Sequence, residues 1–258
     1  MSETFGTLLS NIDISKIPNP ELPPPAEDGR IPVYNGDGYA SPEPHPLSQE
    51  FVLFSSNSKY PVLDIGAAYG LTSINALKKG ATVICNEKEK KQLEYICHIK
   101  SITQEEKKRL YLKHGSILEI DFPKESLGAI HMSRVMHFFK PNEVEFFFQK
   151  AYNWLIPNGR IYIITMSQYH YGNPEGFSDY YNKEIKKGTE FPGMINDYKF
   201  KNEKYVLHAI DPTVMVRLAN KYGFICKKLN YQEVKMMMII LVLFLLKIII
   251  INNFFLNV

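Results

Sequence analysis

The sequence predicts an α/β protein with a doubly wound, mostly parallel sheet flanked by helices and a lid insertion after the fifth strand. From about residue 51, short apolar runs typical of buried strands alternate with amphipathic helical stretches. These helices are long enough to form right-handed crossovers between parallel strands. A tyrosine-rich stretch, about residues 167–207, then interrupts the alternation where a loop would cover the carboxyl ends of the strands.

Six strands are predicted in order along the chain. Each is an apolar run that ends at, or is followed by, a polar residue or a glycine, as strands that lead into turns are. The six runs are Pro61–Leu63, Ala81–Glu87, Leu110–His114, Gly128–Met132, Arg160–Thr165 and Phe224–Leu229.

The helices between these runs have apolar stripes and recognisable ends. The helix after the first strand ends at Gly80, a residue typical of helix C-termini, and residues 87–99 form the next helix. A long helix begins at Pro141, and a last one begins at Asp211, a typical N-cap residue. The stripe of the long helix consists of Val144, Phe147, Phe148, Ala151, Trp154 and Leu155.

The chain divides into three predicted segments. Residues 1–50 hold nine prolines and form either a leader or an arm that folds over the ligand site. Residues 51–235 form the main domain, which includes the lid. Residues 236–258 are almost continuously apolar, and three interpretations stay open: a last strand paired with the sixth, a membrane tail, or an out-of-frame ending.

The charge and the cysteine content indicate which partners and which cellular compartment to expect. The net charge of +3 is too small to indicate a nucleic-acid partner. The three cysteines lie far apart, which indicates free thiols in a reducing compartment and no metal site. The N-terminus lacks the pattern of a signal peptide. We therefore expect a cytoplasmic protein, with peripheral or tail-anchored membrane association if residues 236–258 are a membrane tail. The oligomeric state is left open.

The turn after the first strand has Asp64, Gly66, Ala68 and Gly70 at alternate positions. A dinucleotide-binding turn has glycine where Ala68 stands, because its backbone must approach a pyrophosphate. The Asp64 carboxylate repels phosphate but favours a cationic ligand. A cationic nucleoside without phosphate, such as S-adenosylmethionine, fits this turn.

The segment Asp64-x-Gly66-x-Ala68-x-Gly70 resembles the D-x-G-x-G-x-G loop of class I (Rossmann-like) S-adenosylmethionine-dependent methyltransferases, with alanine for the middle glycine. Further passages continue the resemblance, in the same order, over about residues 60–230. The resemblance implies a methyltransferase domain with S-adenosylmethionine as cofactor, and the Glu87 carboxylate on the ribose hydroxyls. The cofactor-binding residues that it implies are Asp64, Gly66, Ala67, Ala68, Gly70, Asn86, Glu87, Ser116, Ile117 and Ser133.

His137 follows the fourth strand at the same edge of the sheet and is the candidate general base. The resemblance implies that the reaction is methyl transfer. Because the charge is near neutral, we expect a small-molecule acceptor, with a protein side chain as second choice. One alternative is a methyltransferase-like, non-catalytic binding module that acts through a partner or a membrane. Another, a nicotinamide oxidoreductase, is disfavoured by Asp64 together with Ala68.

Overall fold

The computed structural model describes residues 2–170, 173–195, 206–234 and 238–247. The helices in this part of the chain are α1 Ser2–Phe5, α2 Pro46–Ser55, α3 Leu71–Lys78, α4 Lys90–Cys97, α5 Gln104–Lys107, α6 Pro141–Trp154, α7 Phe177–Lys186 and α8 Pro212–Lys221. The strands are β1 Thr7–Leu8, β2 Ile31–Pro32, β3 Tyr39–Ala40, β4 Val62–Ile65, β5 Val83–Glu87, β6 Leu110–His114, β7 Leu127–Ser133, β8 Leu155–Met166, β9 Phe224–Val234 and β10 Met238–Lys247.

Eight of these strands form one sheet in the order β1-β6-β5-β4-β7-β8-β10-β9. The five central strands, from β6 to β8, run parallel to one another. By contrast, β1 and β10 run antiparallel to the strands beside them. The chain moves outwards from β4 in both directions, which is the doubly wound arrangement. The predicted fold class is confirmed for the sheet and its helices, and the lid insertion stays a prediction.

Alternate residues of the central strands face opposite layers of helices. In β4, Val62 packs in the layer of α2 and α3, whereas Leu63 packs in the layer of α6 and α8. In β8, Tyr162 likewise packs in the layer of α2 and α3, and Ile163 packs in the layer of α6 and α8. Strands β4, β5 and β7 are buried on both faces of the sheet, which explains why they are mainly apolar runs in the sequence.

Helix α6 forms as the sequence predicts. Pro141 occupies its first position, and the backbone N–H of Lys140 donates to the Glu143 carboxylate at 2.7 Å. The predicted stripe is buried along the whole helix, and its last member, Leu155, begins β8. Helix α6 therefore forms the main body of one layer, with α8 packed beside it.

Strand β10 comes from the apolar C-terminal segment and lies between β8 and β9, paired antiparallel with both. Residues 236–237 and 248–258 lie outside the described residues. The boundaries of the three predicted segments stay predictions. The described chain holds no helix that is both long and apolar enough to cross a membrane.

The end of β10 carries a buried cation, Lys247, which is the first charged residue after the start of this strand. Its ammonium donates to the Leu155 carbonyl at 2.6 Å and lies 3.5 Å from the Glu125 carboxylate. It also lies 4.4 Å from the centre of the Tyr152 ring. These contacts compensate for the removal of the charge from water.

Much of the proline-rich N-terminal segment packs on the domain. Strand β1 pairs with β6 at the edge of the sheet. The Tyr69 hydroxyl donates to the Pro32 carbonyl at 2.6 Å, and the Tyr34 ring packs edge-on against Tyr69. Helix α2 begins at Pro46, before the predicted domain boundary at residue 51. We call residues 28–45 the N-terminal arm.

The predicted lid is described in part. Phe177 and Tyr181 of α7 pack with Ile195 and Ala209 in a small core of their own. The remaining parts, residues 171–172 and 196–205, lie outside the described residues.

Candidate functional site

A cavity of about 1340 Å³ lies at the carboxyl ends of β4, β5, β6 and β7. Nine of the ten predicted cofactor-binding residues line this cavity, the exception being Gly70. The candidate base His137 is also absent from its wall. The opposite wall comes from the N-terminal arm and from the start of α2. The carboxyl end of a doubly wound sheet is where such folds bind ligands.

The turn between β4 and α3 depends on glycine at two positions. Gly66 has a φ of +63°, and a Cβ there would lie 2.3 Å from Cγ2 of Val135 in the loop after β7. Gly70 has a φ of +81° and stands at the N-cap of α3, where a Cβ would lie 3.1 Å from Cδ1 of Ile96. The turn is therefore packed tightly against neighbouring elements on both sides.

Ala68, in the middle of this turn, adopts the left-handed conformation with a φ of 49°. This conformation costs an L-residue with a Cβ about 1–2 kcal/mol, whereas glycine adopts it freely. We expect Ala68→Gly to raise the free energy of unfolding by about 0.5–1 kcal/mol in urea denaturation, after subtraction of the greater chain entropy of glycine.

The matched control is Ala67→Gly, because the backbone of Ala67 does not have a positive φ. There we expect a loss of about 0.5–1 kcal/mol. A destabilised Ala68→Gly variant would show that the methyl group of Ala68 contributes more by packing than the backbone strain costs.

Glu87 ends β5 with its carboxylate held by three backbone N–H groups. Oε2 accepts from Ala68 at 2.9 Å, and Oε1 accepts from Lys88 at 2.7 Å and from Glu89 at 3.1 Å. The residue is buried, and this burial raises the pKa of the carboxyl group, while the three hydrogen bonds act in the opposite direction. Glu87 is therefore fixed in orientation beside the glycine-containing turn.

Asn86 connects the loops on either side of β5. Its side-chain amide donates to the backbone carbonyls of Lys113 and Gly115, at 2.9 and 3.0 Å. Its backbone carbonyl accepts from the Ala67 N–H at 3.0 Å. Both amide hydrogens are thus used within the protein. Asn86 lines the cavity, as does Ser116, whose hydroxyl accepts from the Leu118 N–H.

Asp64 differs from expectation in its position and its partners. It belongs to β4 rather than to the turn, and its side chain points into the layer of α2 and α3. One carboxylate oxygen lies 2.7 Å from Nδ1 of His131, and the other accepts from the Ser73 hydroxyl at 2.7 Å. Nε2 of His131 lies 2.9 Å from the Ser48 hydroxyl. Asp64 therefore joins β4, β7, α2 and α3.

The sequence reasoning missed His131, Ser48 and Ser73. One signal was present, because His131 is the polar residue within the otherwise apolar β7 run. A buried polar side chain in a central strand requires a partner. The Cα register of β4 and β7 places Asp64 directly beside it.

His137 is placed unfavourably for the role of general base. Its ring lies off the cavity wall, and its Nδ1 is buried without a hydrogen-bond partner in the described chain. Burial, with smaller contributions from nearby cationic groups, lowers the pKa of His137 to about 3. A base with such a pKa accepts protons poorly near neutral pH.

The sequence reasoning also missed Arg134, which follows β7 and lines the cavity with a left-handed backbone (φ 58°). Arg30, from the N-terminal arm, lines the same cavity and is paired with the Asp28 carboxylate at 2.5 Å. The site thus has two guanidinium groups as well as the predicted carboxylates.

Comparison with known proteins identifies the class. A sequence profile of the family described as "Methyltransferase domain" matches residues 63–163. No curated protein matches the chain. Residues 63–163 therefore form a methyltransferase domain, and the sheet and helices around them have the class I, Rossmann-like fold of S-adenosylmethionine-dependent methyltransferases.

The fold is shared with many solved structures. A Methanosarcina mazei S-adenosylmethionine-dependent methyltransferase is 15% identical with a TM-score of 0.60, over 80% of this chain and 99% of that one. A Streptomyces coelicolor geranyl diphosphate C-methyltransferase is 12% identical with a TM-score of 0.55, and the match covers 77% of this chain and 79% of that one. A Haemonchus contortus phosphoethanolamine N-methyltransferase is 17% identical with a TM-score of 0.54, and the match covers 77% of this chain and 41% of that one.

Proposed function

We propose that the protein transfers a methyl group from S-adenosylmethionine to a small-molecule acceptor that binds in the same cavity. The observation that carries this proposal is the size and composition of the cavity. At about 1340 Å³ it exceeds the roughly 300–1,000 Å³ typical of a site for one small ligand. There is room for a donor and an acceptor side by side.

The residues present fit the donor. Gly66 leaves the turn without a side chain at a point where the loop after β7 approaches closely. The fixed carboxylate of Glu87 suits the ribose hydroxyls, and Ser116 with Ile117 provides the wall beside the adenine. Ser133, at the end of β7, lines the part of the cavity assigned to the methionine portion. Asp64 supports this site from beneath the turn.

The donor supplies an activated sulfonium methyl group, so the protein has mainly to align the acceptor and exclude water. The N-terminal arm, which closes one side of the cavity, serves this purpose. Solved structures of the same fold support a small acceptor. The Streptomyces coelicolor enzyme was crystallised with geranyl diphosphate, and the Haemonchus contortus enzyme with phosphomonomethylethanolamine.

Titration calorimetry with S-adenosylmethionine and S-adenosylhomocysteine tests the proposal. We expect both to bind, and we expect Glu87→Gln to bind at least ten-fold more weakly, because hydrogen bonds to a charged group are lost. Glu105→Gln removes an exposed carboxylate away from the cavity and is expected to bind normally. Failure of the native protein to bind either compound would support the non-catalytic binding module instead.

The pH dependence of donor binding provides a separate prediction. Burial raises the pKa of Glu87 above the ordinary value of 4.5, so its carboxylate becomes protonated at a higher pH than that of an exposed glutamate. Donor affinity should therefore fall as the pH is lowered through this raised pKa. The Glu87→Gln variant should lose that dependence, whereas a shared dependence in both proteins would assign it to another group.

A further inference from the structure

We propose that Arg134 binds an anionic group, a carboxylate or a phosphate, of the methyl acceptor. The acceptor is then an anionic small molecule. This inference rests on the proposed function and names the substrate class of the same cavity.

The first observation is that the Arg134 guanidinium has no counter-charge among the residues that the structure describes. It lines the cavity and is partly buried, and within the described chain it forms neither an ion pair nor a side-chain hydrogen bond. Its Nε atom is buried and has no hydrogen-bond partner in the described part of the chain. Burial lowers the pKa of Arg134, as does the like charge of Arg30, and no carboxylate acts against them. A buried cation without an anion is costly, and a bound anion would remove this cost.

The second observation is that three of the carboxylates that line the cavity have other partners. Asp28 pairs with Arg30, and Asp64 pairs with His131. Glu87 accepts from three backbone N–H groups. The protein therefore leaves Arg134 available for a ligand.

The third observation is a neighbouring donor. His45, at the N-cap of α2, accepts the Leu47 N–H at Nδ1, so its proton lies on Nε2 in the neutral ring. That Nε2 is a buried donor without a partner in the described chain. His45 also lines the cavity, and Arg134 is close enough to lower its pKa. A guanidinium with donors around it and no acceptor is the arrangement that binds oxyanions.

The fourth observation is the rigidity of Arg134. Its backbone N–H donates to the Ile164 carbonyl of β8 at 2.7 Å, which holds the residue in its left-handed conformation. Non-glycine residues with such strain occur preferentially at ligand sites. The next residue, Val135, packs on Gly66 and so joins this loop to the donor turn.

An anion in this position could belong to the acceptor or to the donor, because S-adenosylmethionine itself carries a carboxylate. Calorimetry separates the two sources. The protein, both free and saturated with S-adenosylhomocysteine, is titrated with inorganic phosphate and with acetate. We expect at least one of these anions to bind the saturated protein, and Arg134→Gln to weaken this binding at least ten-fold. Affinity for S-adenosylhomocysteine should change less than three-fold.

Two variants sharpen the test. Arg134→Lys keeps the charge and should retain part of the anion affinity, whereas Lys140→Gln removes an exposed cation from the same wall and should leave it unchanged. Equal losses of S-adenosylhomocysteine affinity and anion affinity in Arg134→Gln would overturn the proposal and assign Arg134 to the donor carboxylate.

The remaining outcomes separate the two proposals. If S-adenosylhomocysteine binds but neither anion binds the native protein, the anionic acceptor is excluded while the methyltransferase function stands. If S-adenosylhomocysteine itself fails to bind, the proposed function fails, and anion binding to the free protein still decides the role of Arg134.

Discussion

Replacement of Gly66 by alanine is expected to abolish measurable donor binding and to lower the free energy of unfolding by about 2–5 kcal/mol. Two costs add. The left-handed backbone at φ +63° is unfavourable for alanine by about 1–2 kcal/mol. The new Cβ would also lie 2.3 Å from Cγ2 of Val135, so the loop after β7 must move, at a cost of about 1–3 kcal/mol for overpacking.

Gly80→Ala is the matched control for this prediction. Gly80 has a φ of +100°, but a Cβ there would meet no atom within 4 Å. It should therefore show the backbone cost alone, about 1–2 kcal/mol, and normal donor affinity. Urea denaturation and calorimetry on both variants separate strain from steric displacement. Normal donor binding by Gly66→Ala would show that the turn can shift without harm to the site.

Replacement of Asp64 by alanine is the second large effect we expect. The change leaves His131 and the Ser73 hydroxyl without their shared partner in a buried layer. Removal of one member of a buried, hydrogen-bonded pair typically costs about 3–5 kcal/mol. We expect a loss of this size in urea denaturation, with an unchanged m-value.

Two further variants show whether that loss of stability comes from the buried hydrogen-bond network. Ser48→Ala removes only the far end of the network and should cost about 1 kcal/mol. Asp179→Ala removes an exposed carboxylate from α7 and should stay within about 0.5 kcal/mol of the native protein. If Asp64→Ala kept native stability yet lost donor affinity, Asp64 would act on the donor directly, as the sequence alone suggested.

Local patterns accounted for much of the fold. The stripe of α6 was readable because its residues recur at helical spacing around one buried face. The continuous apolar run of β10 belongs to a strand paired on both edges within the sheet, one of the three interpretations it allowed. The exact ends were less readable, since β8 and β9 extend beyond the predicted runs.

The lining of the site was readable where its residues fall at the carboxyl ends of strands. Glu87 and the turn around Gly66 fall at strand ends, where topology alone brings them to one edge. One partner of Asp64 is distant in sequence, since His131 lies 67 residues further along the chain. His137 lies at the expected edge, but its position off the cavity wall depends on packing that spacing does not encode.

The location of β10 has a consequence for synthesis on the ribosome. The sheet is completed by the last described strand of the chain, which inserts between two strands already made. Until Lys247 has left the exit tunnel, β8 and β9 each present an open edge to other nascent chains. Chains that terminate before Met238 would keep both of these edges open, and we expect them to aggregate rather than to form a smaller folded domain.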